Sequence, residues 1–282
     1  MTQDRLPLVT IITPSFNQGR FIRDTIESVL TQDYPHIEYI IIDGGSTDET
    51  ALIVKEYEGR LTWISELDNG QSDAINKGFR MARGEIVAWL NSDDTYCPGA
   101  VSTAAAYLAA HPDVGMVYGE GYEIDEEGRR IRRFPYTQEF DLRKLITYSD
   151  YILQPTVFMR RDALLEVGLL DDALFWCMDW DLWIRFGKTH RVAYLPDFLA
   201  NSRIYAETKT ASGGLPRFRE IARVMRRHGS GRYPLGYFVY GEDTLLTLVK
   251  QRAPRFCTAL FLPVWYRFKA CLRRLLRSAG VL

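Results

Sequence analysis

Two adjacent carboxylates, Asp93 and Asp94, close the apolar run Ile86-Val87-Ala88-Trp89-Leu90-Asn91-Ser92. A short run of that kind can be buried on both faces, as in a parallel sheet. Ligands of open α/β sheets collect just beyond the carboxyl ends of such strands. Two carboxylates held together repel each other unless a cation sits between them. Hard oxygen ligands suit Mg²⁺ or Mn²⁺, ions that partner phosphates. The alternative is that Asp93 and Asp94 only begin the next helix, with Pro98-Gly99 as turn and first-turn residues.

The elements around this run decide its surroundings. Strands are expected over 8–13, 37–42, 61–65, 86–90 and 114–118, and helices over 20–31, about 73–81 and 99–110. Ser46-Thr47-Asp48-Glu49 reads as a capping box opening a further helix to about Tyr57. Strands alternating with helices imply a mostly parallel sheet covered on both faces. The second half differs. Residues 120–124 and 130–134 flank Asp125-Glu126-Glu127-Gly128 as a hairpin. Strands near 156–159 and 192–195, helices near 162–167 and 179–186, and a helical pattern from Leu215 onward complete the expected order.

Parallel strands would bring their polar ends to one edge: Thr13-Pro14-Ser15-Phe16-Asn17-Gln18-Gly19, Asp43-Gly44-Gly45-Ser46, Glu66 to Asp73, and Asn91-Ser92-Asp93-Asp94. Gly44-Gly45 lacks the spacing of a dinucleotide fingerprint or a P-loop, which disfavours both. A carboxylate after the second strand can accept hydrogen bonds from a base or ribose, and one after the fourth can hold a metal on a diphosphate.

The chain has 282 residues, 46% hydrophobic and 25% charged, so one large or two modest domains are expected. A formal charge of −1 gives no reason to expect nucleic-acid binding. Cys97, Cys177, Cys257 and Cys271 show no CxxC spacing and read as reduced thiols of a cytoplasmic protein. The polar N-terminus up to Leu6 predicts no signal peptide. The four histidines lack ligand-like spacing. After Asp243 there is no acidic residue, and residues 256–276 combine apolar and basic character, with Trp265-Tyr266 beside Arg267 and Lys269. That segment is either an interfacial anchor on an anionic membrane surface or a helix packed on its own domain or on a second subunit of a homodimer.

The order of several motifs resembles family 2 glycosyltransferases. They are Val9-Thr10-Ile11-Ile12-Thr13-Pro14-Ser15-Phe16-Asn17, Ile42-Asp43-Gly44-Gly45-Ser46-Thr47-Asp48, Asp68-Asn69-Gly70-Gln71-Ser72-Asp73-Ala74-Ile75-Asn76-Lys77-Gly78-Phe79, Leu90-Asn91-Ser92-Asp93-Asp94, Gln154-Pro155-Thr156-Val157-Phe158 and Met178-Asp179-Trp180-Asp181-Leu182-Trp183. The resemblance implies a GT-A fold and inverting transfer of a sugar from a UDP-, GDP- or dTDP-sugar to a glycan or lipid-linked acceptor. It implies that Thr13, Ser15, Asn17, Asp43, Asp73, Lys77, Asn91, Ser92 and Lys209 form the nucleotide site, with Asp43 on the base. Asp93 becomes the ligand of Mn²⁺ or Mg²⁺, while Asp94 is expected to cap the next helix. Asp179 becomes the general base, with Asp181 its competitor, and Trp180 and Gln154 belong to the acceptor side.

Departures from the pattern are Asn91 in place of an Asp, Met178 before Asp179, and Tyr205 in place of a His in Arg203-Ile204-Tyr205-Ala206-Glu207-Thr208-Lys209-Thr210. Trp183 is expected in the core. The implied organisation is a glycosyltransferase domain over 1–214, with a nucleotide-binding half 1–119 and an acceptor half 120–214, followed by a basic helical extension over 215–282. The implied location is cytoplasmic, peripheral on the inner face of the membrane if the extension binds lipid. Two alternatives are carried. A sugar nucleotidyltransferase is disfavoured because no N-terminal Gly-rich, Arg-Lys-containing loop is present, and a non-catalytic sugar-nucleotide or glycan-binding module because both Asp93 and Asp179 are retained.

Overall fold

A computed structural model describes residues 6–209, 213–231 and 234–252. Strand β1 (Val9–Ser15) is buried along its whole length and lies between β2 (Ile37–Asp43) and β4 (Ile86–Trp89), parallel to both. β3 (Thr62–Ser65) extends the parallel set beyond β2. Alternation along these strands fills two cores. Val9, Ile11, Tyr39, Ile41, Ile86 and Ala88 face α1 (Ile22–Leu30), α2 (Thr50–Lys55) and α4 (Ala100–Ala110). Ile12, Ile40, Ile42, Val87 and Trp89 face α3 (Gln71–Met81) and α7 (Met178–Thr189). This is the covered sheet that near-continuous apolar runs require.

The second half of the sheet is mixed rather than parallel. β8 (Phe158–Arg160) is antiparallel to β4 and to β6 (Val114–Ile124); β6 is parallel to β9 (Arg191–Arg203), and β5 (Thr95–Tyr96) is antiparallel to β9. The hairpin to β7 (Arg130–Arg133) forms as expected. Two strands run longer than the sequence pattern indicates. The expected division at residue 120 falls inside β6, and β9 continues past Pro196 because Gly119 and Glu120 pair with Leu195 and Phe198, leaving Pro196 and Asp197 in a bulge. A bulge accommodates a proline that cannot donate to the ladder. Glu120, buried in this strand, accepts from Arg133 and Tyr194.

The expected capping box does not form. Ser46 turns back to Asp43, and Asp48 accepts from the amides of Thr50 at 3.0 Å and Gly19 at 2.8 Å, tying the loop after β2 to the loop after β1. Helix α5 (Leu142–Thr147), absent from the sequence-based order, is capped by Asp141 accepting from the Lys144 amide. Helix α6 (Arg161–Val167) packs on α7, which is followed beyond β9 by α8 (Gly214–Arg227) and α9 (Leu235–Arg252). Ile221, Val224 and Met225 of α8 belong to the same core as α3 and α7. No helix among the described residues is long and apolar enough to cross a membrane. The basic, apolar segment 256–276 lies outside the described residues.

Helix α3 crosses β1 so closely that a Cβ on Gly78 would stand 2.4 Å from Ile12 Cγ2. In an open helix Gly→Ala stabilises by about 1 kcal/mol. Here the expected effect of Gly78→Ala has the opposite sign, a loss of about 1–3 kcal/mol by overpacking. Urea denaturation of the two proteins measures it, and a gain in stability would contradict the close α3–β1 contact.

Candidate active site

The carboxyl ends of the parallel strands meet as the sequence pattern requires. Ser15 pairs with Asp43 across β1 and β2, and the Gly44 amide donates to the Ser15 carbonyl at 2.8 Å. Asp43 is fully buried and accepts from the Ser46 amide at 3.0 Å, the Ser65 hydroxyl at 2.6 Å and the Ser46 hydroxyl. Three of its roughly four lone-pair sites are filled. The glycines are sterically required: a Cβ on Gly44 would lie 2.7 Å from Asp68 Oδ2, and Gly45 has φ +82°. Asn17 takes a left-handed backbone, φ 53°, from which its Oδ1 accepts from the Thr47 amide at 2.9 Å and its amide donates to Ser46 Oγ at 2.7 Å. Ser15 Oγ is buried and has no partner among the described residues.

Beyond β4 the chain turns sharply. Asp94 is buried, and its carboxylate accepts from the Arg203 amide at 2.9 Å and from Asn91 Nδ2 at 3.2 Å. Burial, and then the charge of Asp93, push its pKa up to about 8. It caps no helix: α4 begins at Ala100 with Gly99 as its N-cap. Asp93 is half-buried and accepts from the Tyr205 hydroxyl at 2.8 Å. Burial raises its pKa, against the Tyr205 hydrogen bond and the nearby charge of Arg203. Ser92, between Asn91 and Asp93, is buried. Arg203, at the end of β9, donates its amide to Asp94, its Nε to the Asp93 carbonyl at 2.9 Å, and its outer nitrogens to the Asp125 and Glu126 carbonyls and to Asp24.

A chain of polar side chains leads from this turn toward α7. Lys209 Nζ donates to Gln71 Oε1 at 2.8 Å, Gln71 Nε2 to Asn91 Oδ1 at 2.8 Å, Asn91 Nδ2 to Gln154 Oε1 at 3.0 Å, and Gln154 Nε2 to the Trp89 carbonyl at 2.9 Å. Lys209 also stands 3.9 Å over the ring of Phe175. Burial lowers its pKa to about 8, opposed by the charges of Asp179 and Glu220. Asp179, in the first turn of α7, is half-buried and accepts from the Trp180 amide at 2.8 Å. Burial raises its pKa, while that amide and the charge of Lys209 oppose the rise. Asp150 lies in its field and is raised well above the ordinary carboxylate range, by burial first and the charge of Asp179 second. Sequence reasoning missed Asp150 because no local pattern marks it. It also missed Arg203 as the residue that holds the acidic turn.

Against this geometry the sequence matches the glycosyl transferase family 2 model over residues 10–168, more than half of the chain. The chain belongs to glycosyltransferase family 2. An uncharacterised glycosyltransferase of Rickettsia prowazekii (strain Madrid E) is 28% identical over 228 residues, which are 76% of this chain and 70% of that protein. Among solved structures, the mannosyltransferase PcManGT from Pyrobaculum calidifontis, in complex with GDP-Man and Mn²⁺, superposes with a TM-score of 0.66 at 19% identity, covering 99% of this chain and 87% of that one. S. aureus TarS 1-349 with UDP-GlcNAc gives a TM-score of 0.64 at 20% identity, covering 78% of this chain and 66% of that one. At these identities the likeness establishes the fold, GT-A.

Several expected site residues of this glycosyltransferase lie elsewhere than on the shared surface. Trp180 is no acceptor platform: it is buried, its Nε1 donates to the Leu145 carbonyl at 2.9 Å, and its ring packs against Tyr240. The apolar side of the first turn of α7 has to face the core, and position 180 falls on it. Trp183 stacks on Trp89 in the core, as expected. Phe175, which the sequence reading passed over, is the exposed aromatic beside Lys209. Gln154, expected on the acceptor side, hydrogen-bonds to Asn91 and to the Trp89 carbonyl in the turn after β4. The Thr13 hydroxyl pairs with Tyr39 inside the sheet layer at 3.0 Å. Lys77 is engaged by Glu66 at 2.9 Å and Asp73 at 3.6 Å, and Asp73 accepts from the Asn69 amide, which with Lys77 holds its pKa below the usual range.

Asp181 faces away from Asp179. It is buried and accepts from Arg185 at 2.8 Å, His228 at 2.8 Å and Arg227 at 3.3 Å. Burial works to raise its pKa, but the hydrogen bonds from His228 and Arg185 outweigh burial and hold it at about 2. A depressed folded-state pKa contributes stability that is complete above the unfolded value of about 3.9 and lost as pH falls through the folded one. Asp181→Asn is therefore expected to cost about 2 kcal/mol near neutral pH. The gap from wild type should close as pH falls from about 4 toward 2. Denaturant melts across that range check it, and a pH-independent gap would mean the ion pairs do not carry the effect.

Proposed function

We propose that this family 2 glycosyltransferase is an inverting, metal-dependent enzyme that moves a sugar from a UDP-, GDP- or dTDP-sugar to a hydroxyl of a glycan or lipid-linked acceptor. The observation that carries this reading is the continuous polar chain from the Asp93-Asp94 turn through Asn91 and Gln71 to Lys209, which lies in the field of Asp179. A nucleotide diphosphate needs polar and cationic partners on one side, and an attacking hydroxyl needs a carboxylate on the other. The crystallised neighbours carry GDP-Man and UDP-GlcNAc, which supports a sugar-nucleotide donor without choosing the base.

In this reading Asp43, with Ser15 and Asn17 at the adjoining strand end, binds the nucleoside, and Asn91 serves the ribose through its carbonyl. Lys209 contacts the diphosphate. The donor set fits a hard divalent cation. Among the described residues no group of three or more His, Cys, Asp or Glu side chains is placed to hold a metal. A single half-buried carboxylate, Asp93, is what Mg²⁺ or Mn²⁺ uses together with substrate phosphates. When bound, the ion would offset negative charge on the leaving diphosphate. Tyr205, in hydrogen-bond contact with Asp93, orients that carboxylate. Asp179 takes the proton of the acceptor hydroxyl as it attacks the anomeric carbon opposite the diphosphate. Asp150 lies in the field of Asp179, and burial together with that charge pushes Asp150 well above the ordinary carboxylate range. Phe175 offers a ring on which an acceptor sugar can stack.

The experiment is nucleoside diphosphate release from UDP-GlcNAc, GDP-mannose and dTDP-glucose with Mn²⁺ or Mg²⁺. Release of pyrophosphate instead would identify a nucleotidyltransferase, and release of neither a binding module. Asp93→Asn is expected to remove the metal-dependent part of nucleoside diphosphate binding in titration calorimetry while leaving the thermal midpoint near wild type. Metal-enhanced binding that survives the change would sink the assignment of Asp93.

Asp179→Asn keeps shape and removes basicity. Turnover should fall by about 10²–10⁴ with donor affinity nearly unchanged. Steady-state rates and calorimetry on the same preparation read both quantities. If Asp179→Asn leaves turnover intact, the base lies elsewhere.

A further inference from the structure

The amides of Phe175, Trp176 and Cys177, immediately before the turn that carries Asp179, all point at one carboxylate from a distant part of the chain. Glu220 of α8 accepts from Phe175 N at 3.0 Å through Oε2, and from Trp176 N at 2.6 Å and Cys177 N at 2.8 Å through Oε1. It is 6% exposed. Cys177, the N-cap of α7, supplies no side-chain cap of its own. Unpaired amides at a helix start require a partner, and an anion there is favoured by the helix dipole as well. The same helix grips the far side of Asp179, because Arg227 and then His228, just beyond the end of α8, both reach Asp181. Asp179 therefore sits between two anchors, Cys177 and Asp181, that are held from one helix and its end. Arg217, a turn before Glu220 on α8, adds a positive charge felt by both Asp150 and Asp179. Apart from Asp150, these residues lie beyond position 168, where the family match ends.

We propose that Glu220 is a positioning residue for Asp179: by holding the three amides before α7 it sets the place and direction of the first turn, and so brings α8 into the catalytic unit. This rests on Asp179 acting as the base. Glu220 touches neither donor nor acceptor in this scheme and acts through the backbone that runs from Phe175 to Asp179. Small displacements of a reacting group are costly, on the order of 10²-fold for about 1 Å. The strands of the donor side do not carry the contact; of the nucleotide-side residues, Lys209 feels the charge of Glu220 and stands over Phe175.

The test is a double-mutant comparison on the full chain, with the fastest of the three donors named above and Mn²⁺. Glu220→Ala should lower kcat by about 10–100-fold and leave the affinity for the nucleoside diphosphate within about twofold. Glu220→Gln keeps an oxygen for Trp176 and Cys177 but turns a donor toward the Phe175 amide, and should fall in between. In the Asp179→Asn background the Glu220 change should cost nothing further, because a residue acting through another has no effect once that other is gone. An equal loss of rate in both backgrounds, or a loss of nucleotide affinity as large as the loss of kcat, overturns the proposal. Should Glu220→Ala fail to fold, Glu220→Gln carries the same comparison. Normal turnover by the Asp179→Asn single variant would overturn the base assignment, and this role with it, and is read without any Glu220 variant.

Discussion

The buried guanidinium of Arg203 is the interaction on which the acidic turn and the carboxyl edge of β4 depend. Its side chain is fully shielded from solvent, and a charge in that position is tolerated only if paired and hydrogen-bonded. The partners come from three places: Asp24 on α1, the Asp93 carbonyl in the acidic turn, and the Asp125 and Glu126 carbonyls of the hairpin loop, with the ring of Phe21 beneath. One side chain thus locks the end of β4, the start of α1, the β6–β7 hairpin and the end of β9 together. From that lock the chain leaves β9 toward Tyr205 and Lys209, the residues that meet Asp93 and the Gln71–Asn91 chain.

The acidic turn is correspondingly uncomfortable. Asp93 and Asp94 are adjacent, both are removed from water, and both have raised pKa values. Arg203 relieves Asp94 through an amide and Asp93 only through its carbonyl and at a distance. Local conflict of this kind, held in place by strong surrounding structure, is a common property of sites that await a ligand. The Tyr205 hydroxyl donates to one oxygen of Asp93 and so fixes that side chain in the turn.

Three aspartates near the start of α7 show how far position outweighs residue type. Asp181 meets Arg185, Arg227 and His228 and is held ionised to low pH. Asp179, two residues earlier, looks to the other side of the helix, where burial raises it and Lys209 and Arg217 moderate the rise. Asp150 is the most strongly raised of the three. The first is a structural clamp between α7 and the end of α8. The other two are raised by burial, and Asp150 also by the charge of Asp179.

Much of this was legible in the chain itself. β1, β2 and β4 are apolar on both faces and could only be interior parallel strands; the polar clusters at their ends then had to share an edge, and the order of motifs identified the family. Trp183, expected in the core, lies there, whereas Asp181, expected as the competitor of Asp179, is bound by Arg185, Arg227 and His228. What the sequence could not reveal depends on contacts between residues far apart in the chain. β9 runs through Pro196 because a bulge opposite Gly119 and Glu120 absorbs it. The capping box does not form because Ser46 turns back to Asp43 of β2, while Asp48 joins the Thr50 amide at the start of α2 to the Gly19 amide of the loop after β1. Trp180 is buried because Leu145 and Tyr240 close over it. Asp150 and Glu220 have no local signature at all: a carboxylate acquires its role from the amides, charges and apolar walls that folding brings to it, and those are set only by the tertiary structure.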